Sequence, residues 1–362
     1  ATITGYDCLA PEAEEMTERK WLKSSIDYCE ALNPSKYQPA SWNTFLSAID
    51  TAKGVYENET ATDKTYKTAR NDLEKAKAKL LFVDSDDPGN PLEFRVLSGT
   101  DTVYEMGVGW NLGNTMDGHT GFHPSETAWQ SAVTTREMIK AIHDAGFNTI
   151  RVPVTWGDMI DDENGYAIND AWINRVQDIV DYCTEMDMYT IINVHHDGAE
   201  QDGWLRVAAD DIDAVYEKFE CVWRNIAEKF KDYDEHLIFE SANELTCMEG
   251  DDKNSAAAQE YDTPIIMNLN QIFVNVVRST GSNNTKRWLA SVSHYANRGK
   301  DYGFALPTDS YNSSNRLMFA QHIYKKTNQD TYTWTDAKDL VDVVNQSYKK
   351  FKNIPIILGE YG

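Results

Sequence analysis

From residue 21 to about residue 82, apolar positions recur every three or four residues. They run Leu22, Ile26 and Cys29, then Trp42, Phe45, Leu46, Ile49 and Ala52, then Tyr66, Ala69, Leu73, Ala76 and Leu80. That spacing lines one face of a helix. Asn33-Pro34 and the stretch from Tyr37 to Ser41 separate the first two helices, and residues 58–62 separate the second from the third. The pattern predicts three short amphipathic helices over residues 21–82, the last from Asp63 to Phe82, packed as a bundle. Residues 1–20 form an N-terminal extension. Residues 83–91, rich in Asp, Pro and Gly, read as an exposed linker.

From residue 92 to 362 the texture changes. Short apolar runs at Val103 to Trp110, Asn148 to Val152, Tyr189 to Val194, His236 to Glu240, Arg287 to Val292, Arg316 to Ala320 and Ile354 to Leu358 alternate with helical patterns. The helices fall at Thr134 to Ala145, Ala171 to Met186, Asp211 to Phe230, Thr263 to Thr280 and Thr335 to Phe351. Continuous apolar strands between helices predict an α/β fold with a parallel sheet covered on both faces. The runs lead into Arg151, His195, Glu244, His294, His322 and Glu360. Polar residues gathered at successive strand ends point to a (β/α)8 TIM barrel, whose site lies on that face. A doubly wound open sheet fits less well, because no Gly-rich phosphate loop follows the first strand. Seven strands are readable. An eighth unit, at about thirty residues per strand and helix, would lie beyond Gly362. The barrel is therefore expected to be truncated after strand seven, with a neighbouring chain as the alternative source of the missing wall.

The formal charge of −24 over 362 residues, with a pI near 4.6, sets the chain against nucleic acid and anionic membrane surfaces. A neutral polysaccharide feels no such repulsion. No apolar run is long enough to cross a bilayer, and the first residues carry no signal-peptide pattern. Five scattered cysteines give no disulfide framework and no metal-type spacing. Cys183 and Cys221 read as buried thiols, and Cys8 with Cys29 is the one disulfide candidate. Nothing calls for a cofactor.

A Glu closing a short apolar strand is costly unless paired or shifted in pKa. Glu244 follows His-Leu-Ile-Phe-Glu-Ser-Ala-Asn, and Glu360 follows Ile-Pro-Ile-Ile-Leu-Gly. Two such acids can cut a glycosidic bond, one as proton donor and one as nucleophile or base. Structural ion pairing is the plainer alternative. His195-His196-Asp197 could hold a metal, but alternation along a strand sends neighbours to opposite faces and no second cluster completes a shell, so no metal is expected. His119 and His123 are expected in an exposed loop. Sugar rings stack on aromatic faces. Trp110, Trp156, Trp204, Tyr295 and Trp334 fall near the presumed top face, and Trp156 and Trp204 are the chosen platforms. Asn111 and His196 are plausible partners for hydroxyls.

The chain resembles glycoside hydrolase family 5 over most of residues 105–362. The segments are Gly-Trp-Asn-Leu-Gly-Asn-Thr-Met-Asp (109–117), Glu-Thr-Ala-Trp (126–129), Gly-Phe-Asn-Thr-Ile-Arg-Val-Pro-Val-Thr-Trp (146–156), Ile-Ile-Asn-Val-His-His-Asp (191–197), Phe-Glu-Ser-Ala-Asn-Glu (239–244), Phe-Val-Asn-Val-Val-Arg-Ser-Thr-Gly-Ser-Asn-Asn (273–284) and the terminal Gly-Glu-Tyr-Gly. They look like the branch holding endo-β-1,4-glucanases and xyloglucan-active enzymes. The resemblance implies Glu244 as acid/base, Glu360 as nucleophile, and Arg151, His195, Asn243, His322 and Tyr324 around the sugar. It also implies a retaining double displacement on a β-linked polysaccharide. The helical segment resembles FIVAR-type modules of wall-associated proteins. Leu245 stands where relatives commonly carry Pro, and strand five ends in Ser-His-Tyr where they usually carry Gly-Tyr. The family's strand-eight tryptophan would lie beyond Gly362. The function expected is a secreted endo-β-1,4-glycanase. The alternatives are a β-mannanase or xylanase on the same barrel, or a catalytically silent carbohydrate-binding protein.

Overall fold

The computed structural model describes residues 17–31, 34, 39–77, 94–198, 203–209, 211–247, 255–296, 302–310, 316–324, 337–351 and 354–361. The expected linker, Leu80, Cys8 and Trp334 lie outside the described residues. The chain divides into two compact units, a bundle and a barrel.

In the bundle, α1 (Glu18–Ala31), α2 (Pro39–Glu57) and α3 (Asp63–Lys77) match the three expected helices, with α1 beginning ahead of the expected boundary. Leu22, Ile26 and Cys29 meet Phe45, Ile49 and Ala52, together with Tyr66 and Leu73, in one buried cluster. These are the residues whose three-and-four spacing predicted the stripes. The Tyr66 hydroxyl donates to the Asn58 carbonyl at 2.8 Å, fixing the turn before α3.

The barrel is a nearly closed parallel sheet of seven strands: β1 (Gly109–Asn111), β2 (Thr149–Val152), β3 (Tyr189–Asn193), β4 (Leu237–Glu240), β5 (Leu289–Val292), β6 (Leu317–Ile323) and β7 (Ile356–Tyr361). Each strand pairs with the next in chain order. Every residue of β2 to β6 is buried, as a sheet covered on both faces requires. Between them run α5 (Arg136–Asp144), α6 (Asp170–Glu185), α7 (Ile212–Phe230), α8 (Ala256–Ser279) and α9 (Ala337–Lys350). At the seam, the Asn111 side-chain amide donates to the Gly359 carbonyl at 2.8 Å, tying β1 to β7.

The first strand differs from expectation. Val103 to Met106 belongs to α4 (Gly99–Met106), and β1 begins only at Gly109. Ser98 caps α4 by accepting from the Asp101 N–H, and Gly107, at φ +55, ends it. Periodicity does not separate strand from helix in so short a run, whereas the cap and the C-terminal glycine do.

At the end of the barrel where the strands begin, His236 sits fully enclosed, its Nδ1 3.0 Å from Asp234 Oδ1. Burial disfavours its charge, but Asp234 and Asp187 outweigh that and raise its pKa to about 9.

Candidate active site

Strand register assembles the site from the inside outward. Asn111 on β1 pairs with Arg151 on β2, and Asn193 on β3 pairs with Glu240 on β4. A β-bulge between β6 and β7 skips Gly359 and sets Glu360 opposite His322. A Cβ at residue 359 would stand 2.9 Å from His322 Nε2, so glycine is what lets that ring approach β7 this closely. Bulges re-aim side chains in this way beside functional sites.

Arg151 is buried at the centre. Its Nε donates to Glu240 at 2.8 Å, its Nη1 to Glu360 at 2.9 Å and Asn111 at 3.1 Å, and its Nη2 to the Asn243 carbonyl oxygen at 2.9 Å. The Tyr324 hydroxyl donates to the other oxygen of Glu360 at 2.6 Å. His322 Nδ1 lies 2.7 Å from Glu244 Oε1 and 3.7 Å from Glu360. One carboxylate oxygen of Glu244, one of Glu360 and a His322 ring nitrogen all fall within 4.8 Å of one another. Burial of Glu360 works against its charge. The fields of His322 and Arg151 and the bonds from Tyr324 and Arg151 win, holding this carboxyl below its ordinary range. Burial, reinforced by Glu360, pushes the Tyr324 phenol up, so it stays a donor.

His195 is buried, and burial together with Arg151 depresses its pKa well below the usual histidine value. Its tautomer is fixed by Asn193. The Asn193 carbonyl oxygen accepts from Val154 N–H at 3.2 Å, so its NH2 faces Glu240 at 2.9 Å and His195 Nδ1 at 3.1 Å. Nδ1 accepts, and Nε2 carries the proton.

His196 does not point away from His195 as strand alternation suggested. β3 ends at Asn193, and the two rings meet edge to face at 4.5 Å. Asp117 joins them within 4.8 Å, a second acidic partner that the sequence did not bring into view. His195 is nevertheless a poor metal ligand here, because Nδ1 is occupied and Nε2 is protonated.

Trp156 is not a platform. It is fully buried, with its indole N–H donating to the Asn193 carbonyl at 3.1 Å. Trp204 is half-buried, held by Asp197 at 2.6 Å, with the Lys218 ammonium 5.2 Å from its ring. His119 is buried rather than exposed, whereas His123 is exposed. His119 packs against Trp129, which also meets His196 at 5.3 Å and remains partly exposed. Leu245 packs against Gly198, where a Cβ would come within 2.4 Å of its side chain.

The structure therefore gathers Asn111, Arg151, His195, His196, Asn243, Glu244, His322, Tyr324 and Glu360 at the carboxyl ends of the strands. Asn193, Glu240 and Trp129 were missed, although all three stand in motifs already singled out. Glu240, an acid ending an apolar strand, satisfies the criterion that selected Glu244 and Glu360.

A parallel αβ barrel that brings two carboxylates together at its strand ends has the arrangement of a glycoside hydrolase. The sequence profile of cellulase (glycosyl hydrolase family 5) matches residues 113–362. The chain is 37% identical over 288 residues to endoglucanase A of Ruminococcus albus, covering 75% of this chain and 76% of that one. A broad specificity endoglucanase from Ruminococcus champanellensis, solved with bound cellotriose, superposes with a TM-score of 0.68 at 34% identity, covering 75% and 82%. A family 5 xyloglucanase from Paenibacillus pabuli superposes with a TM-score of 0.64 at 36% identity, covering 71% and 79%. The chain belongs to glycoside hydrolase family 5. It is a glycoside hydrolase of the endoglucanase type.

Proposed function

We propose that this chain hydrolyses internal β-1,4 linkages of glucan, xyloglucan included, by retaining double displacement, with Glu360 as nucleophile and Glu244 as acid/base. The observation that carries this is the closeness of the two acids: one oxygen of each lies within 4.8 Å of the other, and the retaining geometry asks for carboxyl groups about 5–5.5 Å apart.

In the first step a Glu360 oxygen bonds to the anomeric carbon as the glycosidic C–O bond breaks, and Glu244 gives its proton to the departing oxygen. In the second, Glu244 takes a proton from water, whose oxygen displaces Glu360 and restores the original configuration. Arg151 and Tyr324 hold one oxygen of Glu360 each. With its carbonyl oxygen taken by Arg151, Asn243 turns its NH2 toward the sugar 2-hydroxyl, and His195 offers Nε2–H to a second hydroxyl. The glucan backbone is favoured by the cellotriose-bound and xyloglucanase relatives. Such polymers lie outside cells, so the enzyme is proposed to act as a secreted protein.

The test is a panel of glucan, xyloglucan, mannan and xylan read by reducing ends and viscosity, with the product anomer followed by NMR. Glu360→Gln should lose nearly all turnover while keeping polysaccharide affinity. Product of inverted configuration, or unchanged turnover in Glu360→Gln, refutes these assignments.

A further inference from the structure

Glu240 has no task in the reaction just described, yet it is fully buried four residues before Glu244. Its Oε2 accepts from Arg151 Nε at 2.8 Å and from Asn193 Nδ2 at 2.9 Å. Among the described residues its Oε1 and His322 Nε2 have no hydrogen-bond partner, and both flank the bare Cα of Gly359. Burying a second acid next to Arg151 and Glu360 is expensive. A guanidinium that only had to hold Glu360 would not need it.

One positive charge serves two carboxylates here, Glu240 through Nε and Glu360 through Nη1. We propose that Glu240 is a positioning residue of the reaction: it draws part of the Arg151 charge away from Glu360, and it aims both Arg151 and Asn193. Through Arg151 it sets the Asn243 amide. Through Asn193 it sets the Nε2–H form of His195. The inference rests on the roles given above to Glu360 and Glu244.

The charge argument has a definite sign. Among the described residues, the titratable groups around Glu360 are Arg151 from β2, His322 from β6, Tyr324 just after that strand, and Glu244 after β4. Glu240 adds a negative charge on the far side of Arg151. Its removal leaves the guanidinium field on Glu360 unshared, which favours the ionised form and weakens it as a nucleophile. The acid limb of kcat/KM reports ionisation of the free enzyme's nucleophile, so it should move to lower pH.

The experiment compares wild type and Glu240→Gln as full chains, using an aryl cello-oligosaccharide across pH. The expected result is an acid limb lower by about one pH unit, with the loss at the plateau carried mainly by kcat. An unmoved or raised limb overturns the proposal, even if the variant melts earlier, because a merely structural ion pair would change melting alone. Should Glu240→Gln not fold, Glu240→Asp, which sets the charge one methylene back, is the second variant. Its limb should fall between those expected for wild type and Glu240→Gln, and a limb at or above wild type overturns the idea. A wild-type chain without turnover, or giving inverted product, would instead sink the reading of Glu244 and Glu360.

Discussion

Replacing Arg151 by Met removes the guanidinium that Glu240 and Glu360 share while keeping an unbranched side chain in its place. Four polar contacts go with it, to Glu240, Glu360, Asn111 and Asn243. An opposite charge at this range lowers a carboxylate pKa by about 1–3 units. Its loss should therefore raise that of Glu360 by a similar amount, and the remaining repulsion from Glu240 acts in the same direction. Glu360 must be ionised to attack, so the acid limb of kcat/KM should climb by about 1–3 pH units. This is opposite in sign to the shift expected of Glu240→Gln. Leaving Glu240 buried without its cation should cost about 3–5 kcal/mol of stability, measurable by denaturant titration. Arg151→Lys is the control. It keeps the charge but not the fork, so its limb should stay near that of wild type while kcat falls through misplaced Asn243. The measurement is initial rate against pH for all three proteins. If Arg151→Met turns over with an unmoved limb, the electrostatic account of Glu360 is wrong.

Gly359→Ala would place a methyl 2.9 Å from His322 Nε2 and 3.1 Å from its Cδ2. The ring must then leave Glu244, and kcat should drop by about a hundredfold, the scale of a 1 Å misplacement; steady-state kinetics check this, and wild-type rates would refute it. His236 is buried with its pKa raised from 6.5 to about 9, so its contribution is complete below pH 6.5 and is lost as pH climbs through about 9. Unfolding free energy should fall by about 3 kcal/mol over that window. Urea titrations at several pH values should show the slope in wild type and a flatter one in His236→Asn.

Much of this protein is written locally. Apolar spacing at three and four marked α1 to α3, and continuous β-rich runs marked β2 to β7, because each pattern records which faces one element buries. Acids closing such runs exposed Glu244 and Glu360, since an unshifted, unpaired Glu is too costly there to be filler. Other features depend on elements distant in sequence. The bulge that sets His322 against Glu360 exists only when β6 and β7 pair, and the tautomer of His195 depends on Glu240 and Val154 both claiming Asn193. Trp156 reads as a platform until packing encloses it, because sequence gives position along a strand but not depth beneath neighbouring loops. Strand periodicity says which residues face inward, and only barrel closure with its register decides which of them meet across the interior and share one guanidinium.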